Sequence, residues 1–473
     1  MIHDVIVVGA GPGGSAAASF LARRGVDVLL LDKSDFPRDK VCGDGLTPQA
    51  LYWCDRLGCV DEVLAQTQGV IHDCDLFVNG RRVLTGGFPD GTAYPDFAVL
   101  LDRRRFDHTL MRNALASGAR FRPGVTVRGI ERDAEAATVI ARTASGSEAF
   151  RGRIVIGADG AASAVSRAIG NTLKDGVMAV SLRAYYRGVK VSGAPIRVYF
   201  DRDYFPGYGW LFVDDAGFAN IGVGYAFDRN FPLADLGACF RRFIATELAD
   251  ALRDAERCGG VSGGSASFYR PRRIVDDRVM LVGDAANQAD PLNGGGIHKA
   301  MESAYLAAEA ALGALQAGDL SRQGLARYEA LLHQHVECDW QTAEIFLAIA
   351  KNPNLRDFCL FVLEQIGRLT SEDRRFEEFC AGVFSGVLSQ SIALSPRALY
   401  HAFPRDRSAW AAFLAVNGGA AAPVRLARGA AAGLLAAGRG ALRDPVANID
   451  WGLEVATKAL RLGGRHVSEW AGA

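Results

Sequence analysis

The chain lacks most of the features that would tie it to a partner class in advance. Neither sign of charge prevails, since lysine plus arginine number 53 and aspartate plus glutamate also number 53 among 473 residues. Balanced charge leaves no global field to recruit a polyanion, so no nucleic-acid partner is expected. The nine cysteines are an odd, scattered set with no C-x-x-C pair. That argues against a disulfide framework and against a zinc site, and it fits reduced thiols in a cytoplasm. No basic segment precedes the first apolar run, which reads as a strand, so a secretion signal is not expected. No uncharged apolar stretch reaches the roughly 20 residues needed to span a bilayer. What is left is a soluble globular protein, and 49% hydrophobic with 22% charged residues is ordinary for that class. Its length exceeds what one core serves, so two or three domains are expected.

What is present begins at the N-terminus. Asp4 to Val8 reads as a buried strand and runs into Gly9-Ala-Gly11-Pro12-Gly-Gly14, followed by an alanine-rich helix to Arg24. Gly25 ends that helix, and residues 26–32 form a second strand closing on Asp32. Strand, G-x-G-x-x-G, helix, strand and acid at this spacing are the dinucleotide fingerprint. Gly9 serves the turn, Gly11 lets a pyrophosphate approach the backbone, Gly14 allows close helix–strand packing, and Asp32 suits ribose hydroxyls. A glycine-rich turn in some other βαβ unit is the competing interpretation.

A second glycine-rich site is expected late in the chain. Val279 to Val282 reads as a short buried strand, Gly283 closes it, and Asp284 stands at its end. The loop then passes Pro291 into Gly294, Gly295 and Gly296, and a helix starts at Ile297 with Ala300, Met301, Ala304 and Tyr305 on one face. Glycines at a helix start bare the backbone N–H groups, and the helix dipole favours negative charge there. An electron-accepting ring that gains charge on reduction would suit the place.

Three further segments carry polar signals. Residues 36–48, Phe-Pro-Arg-Asp-Lys-Val-Cys-Gly-Asp-Gly-Leu-Thr-Pro, suit a loop over a cofactor as well as an ordinary surface loop. Cys42 within it is either a reactive thiol or an inert filler. A helix opens near Asp102 and runs through Ala116; its arginine triplet is a solvated face unless one member touches a phosphate. Residues 153–167 form another strand, acid, glycine, helix unit, with Asp159 and Gly160 at the turn.

Taken together, the fingerprint, the Asp159-Gly160 turn and the Gly283-Asp284 turn resemble the three cofactor motifs of the FAD-dependent hydroxylase superfamily. Within it, residues 36–48 and Pro206-Gly-Tyr208-Gly-Trp210-Leu-Phe212 resemble two signatures of the geranylgeranyl reductase family, and the likeness runs over roughly residues 1–360. The resemblance implies an α/β fold with a Rossmann-type FAD-binding domain, an inserted antiparallel-sheet substrate domain and a helical C-terminal region. The corresponding segments are 1–70, 98–180 and 276–330 for FAD, 71–97 and 181–275 for substrate, and 331–473 for the helical region. It implies FAD contacts from Gly9, Gly11, Pro12, Gly14, Asp32, Lys33, Arg38, Cys42, Gly43, Asp44, Arg103, Asp159, Gly160, Gly283, Asp284, Pro291, Gly294, Gly295, Gly296 and Ile297.

The implied chemistry is reduction of isolated double bonds in a prenyl chain or similar hydrophobic alkene. Such a bond has no carbonyl to accept charge, so it needs a reduced flavin, a proton donor and a dry pocket. Cys42 and Tyr208 are the candidate donors, and Tyr208 with Trp210 the candidate pocket wall; both rings also fit a sheet core. NAD(P)H, if it is the donor, would have to bind transiently because no second fingerprint exists; a reductase or carrier-protein partner is the other expectation. The alternative is an FAD-dependent monooxygenase or halogenase of the same fold acting on a secondary metabolite, although the W-x-W-x-I-P pattern of the halogenase branch is absent. A dehydrogenase on the same scaffold stays open, while a flavin-binding module without catalysis fits poorly with a full motif set. Two departures from the family pattern stand out: Val213 replaces a proline, and Asn293-Gly-Gly295-Gly replaces N-G-E-G. The Ala/Gly/Leu-rich stretch 420–442 suits a buried helix, or an interfacial one touching a membrane peripherally.

Overall fold

The computed structural model describes residues 1–171, 178–228, 233, 235–269, 271–370, 374–390 and 450–459. The run 420–442 lies outside the described residues. Val5, Ile6, Val7 and Val8 are apolar without alternation, the pattern of a strand buried on both faces. The strand Ile2–Val8 accordingly lies inside a largely parallel sheet, between Gly146–Gly157 and Val28–Leu31. Val279–Leu281 and Arg120–Arg122 extend it at either side. Val5 and Val7 point into a core shared with the helices Pro12–Ala22, Arg103–Ala116 and Ile297–Ala317. Ile6 and Val8 point the other way, towards the hairpin Thr126–Arg132 and Ala137–Thr143.

Two boundaries differ from the expectation. The first helix stops at Ala22, because Arg23, Arg24 and Gly25 close it as a turn and the Val26 N–H returns to the Leu21 carbonyl. Strand pairing therefore starts only at Val28.

The second sheet has the order Glu256–Ser267, Met178–Arg187, Ala219–Phe227, Gly209–Val213, Ile196–Phe200, Asp73–Val78, Arg81–Gly87. It is antiparallel throughout except where Ile196–Phe200 lies parallel to Asp73–Val78. The exception arises because the chain enters this sheet twice, first as the hairpin 73–87 and again after completing most of the first sheet. The helix Leu236–Thr246 covers its outer face, capped by Asp235 and burying Leu236, Cys239, Phe240 and Phe243. Sequence reading took this segment as strand, although those four positions have the i, i+3, i+4, i+7 spacing of a helix.

Helices Arg327–Ala350, Arg356–Thr370 and Arg374–Ser385 close the far end, where Leu360 and Phe384 meet Leu76, Val198 and Phe200. Residues 450–459 are helical and tied to them through Trp451 Nε1 to the Ala348 carbonyl (2.6 Å) and Lys351 to Glu454 (2.6 Å). No helix among the described residues is long and apolar enough to cross a membrane.

Candidate active site

A cavity of about 810 Å³ lies between the two sheets. One wall carries the glycine turn 9–13, Asp32, Asp159 and Asp284; the other is the inner face of the second sheet, and the loops 38–43 and 289–297 complete it. Of the residues singled out from sequence, all but Gly14, Asp44 and Gly295 line this space. Segments as far apart as Gly9 and Ile297 are thus brought to one place.

The fingerprint end is held by its own acid. Asp32 accepts the Ala10 N–H at 2.7 Å and the Ser34 N–H at 2.8 Å, so one carboxylate ties the turn to the second strand. Gly9 sits at φ +100°, and a Cβ at Gly14 would lie 1.7 Å from the Gly9 carbonyl oxygen, which is why Gly14 is used in packing and not in the lining. At Gly11 a Cβ would meet only Arg38 Nη2 at 3.6 Å. Glycine there leaves backbone bare beside a helix that starts with no side-chain cap, and the open N–H groups suit a pyrophosphate. These features fit the ADP part of FAD. Asp159 caps the short helix Ala164–Ala168 through Ser163 and the Ala164 N–H, and burial raises its carboxyl above the usual range.

Loop 36–48 is stapled to three separate elements. Arg38 reaches Asp107 at 2.9 Å, Asp39 pairs with Arg183 at 3.0 Å, and Lys40 stands 3.4 Å from Asp284. The Asp39 and Lys40 pairs are each a modest contribution at a partly exposed site, whereas Arg38 meets a buried carboxylate. Together they fix a loop that would otherwise cross open solvent, and they aim Cys42 at the cavity.

At the far end of the cavity Cys42, Tyr208 and Trp210 come together with Arg103. Arg103 is buried and binds both oxygens of Asp107 at 2.7 and 2.9 Å. Burial works against its charge, but Asp107 and the Cys42 side chain hold the guanidinium protonated. Tyr208 donates its hydroxyl to the Asn293 carbonyl at 2.6 Å, and burial pushes that hydroxyl above its ordinary value. A phenol whose proton is already engaged and hard to remove makes a poor acid for a reacting carbon.

Behind this group lies a buried polar cluster that sequence reading did not assign. Trp210 Nε1 donates to Asn220 Oδ1 at 2.8 Å, and Asn220 Nδ2 donates to the Cys42 carbonyl at 2.7 Å and to Asp44 Oδ2 at 2.8 Å. Tyr185 adds its hydroxyl to Asp44 at 2.5 Å. Asp44 was expected at the cofactor; instead its left-handed backbone (φ 62°) turns the carboxyl inward, where burial raises it to about 6. The only signal for this in the sequence was a polar residue opening an otherwise apolar strand at Asn220.

The glycine run behaves as a bare turn. Gly294 has φ +72°, and a Cβ there would stand 3.0 Å from the Tyr208 hydroxyl. At Gly295 a Cβ would meet Asn293 Oδ1 at 2.7 Å and His298 Cε1 at 2.8 Å. A glutamate in that position would therefore displace both neighbours, which accounts for the departure from N-G-E-G in local terms. Gly295 faces these side chains and not the cavity. His298 is buried and pushed down to about 3, first by burial and then by Lys299, so it is neutral.

Comparison with known proteins follows the same lines. Residues 3–199 match the family model of an FAD binding domain. The chain is 33% identical over 337 residues to a menaquinone reductase of Mycobacterium tuberculosis, covering 67% of this chain and 78% of that protein. It is 31% identical over 346 residues to digeranylgeranylglycerophospholipid reductase 2 of Methanopyrus kandleri, covering 70% of this chain and 82% of that one. Among solved structures, a geranylgeranyl bacteriochlorophyll reductase-like protein from Thermoplasma acidophilum superposes with a TM-score of 0.69 at 23% identity, covering 85% of this chain and 99% of that one.

Proposed function

The chain belongs to the geranylgeranyl reductase family of FAD-dependent oxidoreductases, and on that premise we propose that it saturates isolated carbon–carbon double bonds in a prenyl chain or similar hydrophobic alkene. The observation that carries the proposal is the sheet-side wall of the cavity. Ala179, Gly224, Ala226, Gly264 and Ala266 leave a shallow face of small residues around Ser181, with Phe268 and Leu347 beside it. Small side chains on neighbouring strands make a slot for a long thin chain. The relatives named above as reductases support the same reading.

Bound FAD, which the glycine turn 9–13, Asp32, Asp159 and Asp284 would hold, would when reduced provide a hydride equivalent for one alkene carbon. The other carbon needs a proton, and the Cys42 thiol is the proposed donor because Tyr208 is engaged with Asn293. Two C–H bonds form, the π bond breaks, and a thiolate is left beside the Arg103 guanidinium until solvent returns the proton. Trp210 and the loop 38–43 exclude water while this happens. The electrons are proposed to come from a nicotinamide dinucleotide docking transiently, or from a reductase partner. Prenyl lipids reside in membranes, so contact with a bilayer surface is proposed to be peripheral.

Cys42→Ala is expected to lower kcat by about 10²-fold or more, the usual size of a lost acid, while the protein stays yellow. Tyr208→Phe is expected to cost less than about tenfold, because only its bond to Asn293 is lost. Steady-state rates with flavin content measured on the same samples check both; a larger loss in Tyr208→Phe than in Cys42→Ala would reverse the assignment of the donor. The reading as a whole is tested by incubating holoenzyme, a chemical reductant and a polyprenoid extract with and without air. Products heavier by hydrogen pairs, formed without oxygen, are expected. Products gaining oxygen or halide, and only in air, would replace the reductase reading with monooxygenase or halogenase chemistry.

A further inference from the structure

We infer that Asn220 is a positioning residue: its amide fixes the Cys42–Asp44 turn against the Trp210 wall and so sets where the Cys42 side chain stands in the cavity. The inference rests on the reductase reading for its kinetic arm only. Asn220 is 3% exposed, and three of its four hydrogen-bonding valences are used at 2.7 to 2.8 Å. The amide cannot be turned over, because that would set NH₂ against the indole N–H and oxygen against two acceptors. Two of its partners, Cys42 and Trp210, come from different parts of the fold and both line the cavity. One side chain therefore sets their mutual register.

The surroundings are shaped for this contact. A Cβ at Gly43 would lie 2.9 Å from Phe212 Cε2, so the turn lies flat on the sheet beneath it. A Cβ at Gly222 would lie 2.1 Å from the Trp210 ring, so the indole is seated against bare backbone. Asp44 holds a left-handed conformation that a residue other than glycine adopts only when its surroundings demand it. Its carboxyl is fixed by Asn220 and Tyr185, and Arg183 lies over the Tyr185 ring at 3.9 Å while pairing with Asp39. A residue serving only the sheet would not need its donors aimed at the backbone of a catalytic loop.

The informative substitution is Asn220→Asp, which keeps the acceptor for Trp210 and turns the donor side into a second carboxyl. The titratable and charged groups facing it are Asp44 and Cys42 from the loop, Tyr185, Arg183 and its partner Asp39, and Arg103. At low pH the two carboxyls share the single remaining proton and stay linked, although the Cys42 carbonyl has lost its donor; as pH rises the carboxyls repel and the turn is released further. The readout is the rate of Cys42 alkylation by iodoacetamide, followed by peptide mass spectrometry and divided by the wild-type rate at each pH. Cys380, partly exposed on the helix Arg374–Ser385 and outside the cavity lining, serves as the internal reference.

At about pH 5 the Cys42 ratio is expected to stand already above one, up to about tenfold for the one lost hydrogen bond, and to climb further by about pH 8, with Cys380 steady. Over the same range kcat for alkene saturation is expected to fall about tenfold relative to wild type at constant flavin content. A Cys42 ratio near one at every pH overturns the inference. If wild-type enzyme saturates no alkene, the reductase reading fails while the alkylation ratio still decides the role of Asn220. Should Asn220→Asp not fold, the exchange N220D/D44N is measured in its place. The Cys42 carbonyl then lacks its donor without a pair of carboxyls, so an elevated, pH-independent ratio is expected and a ratio of one again overturns the inference.

Discussion

Replacing Gly14 with alanine is expected to abolish flavin binding and to lower the thermal midpoint by about 3 °C or more. The added Cβ would lie 1.7 Å from the Gly9 carbonyl oxygen and 2.9 Å from its carbon, both backbone atoms. A flexible side chain could swing away from such an intrusion, but this wall is the turn itself. Gly9 donates its N–H to the Leu31 carbonyl at 2.7 Å and holds φ +100°, so the turn cannot retreat without breaking the link between the first two strands. Overpacking a core costs about 1–3 kcal/mol where side chains can adjust, and more where backbone must move. At about 1 °C per kcal/mol for a chain of this length the expected shift follows. Any shift of the helix Pro12–Ala22 also withdraws the bare N–H groups at its start from the cavity. Gly129→Ala is the matched control, since a Cβ there meets nothing within 4 Å. Its midpoint should stay with wild type. A yellow Gly14→Ala protein melting with the control would show that the helix is seated some other way.

The legible part of this molecule is the part in which short-range pattern and chemistry coincide. Gly9, Gly11, Asp32, Gly283, Asp284 and the helix start at Ile297 could be placed because each sits at a strand end next to a helix, where spacing alone brings ligand-facing backbone into view. All of them line one cavity. The Asn220 network was not legible, because its members are far apart in the chain and become neighbours only when the second sheet closes over the loop. Asp44 shows the same limit from the other side. Its motif suggested the cofactor, but the sign of one backbone dihedral decided that its carboxyl faces inward. The helix Leu236–Thr246 is a different kind of miss, since its spacing was readable and was outweighed by the strand-rich sequence around it. Loop 36–48 could be recognised as polar and glycine-bearing. Its three ion-pair partners, Asp107, Arg183 and Asp284, depend on tertiary assembly alone.

Those ion pairs also frame the second large effect. Asp284→Ala is expected to give a folded protein that loses its flavin on gel filtration, with affinity down about 10²-fold or more. The turn does not depend on this side chain. The Gly283 N–H is held by Ser303 Oγ at 3.1 Å and Gln288 Oε1 at 3.2 Å, and the strand Val279–Leu281 is paired on both sides. The carboxylate instead lines the cavity over the start of the helix Ile297–Ala317, where a Cβ on Gly296 would come within 3.5 Å of it. An acceptor in that place suits the hydroxyls of a ribityl chain, and a hydrogen bond to a charged group is worth about 1.5–3 kcal/mol. Two such bonds account for the expected loss. A rival explanation is that Asp284 serves only to hold Lys40, 3.4 Å away at a partly exposed site. Lys40→Met separates the two: it removes the ion pair and leaves the acceptor, and a partly exposed pair contributes about 1 kcal/mol at most. It should therefore keep most of its flavin, while Asp284→Asn, with one acceptor left, should fall between. If Lys40→Met bleaches as fully as Asp284→Ala, the aspartate acts through the loop and not on the cofactor. If Asp284→Ala stays yellow, the ribityl assignment at this turn is wrong and the flavin is held by the fingerprint end alone.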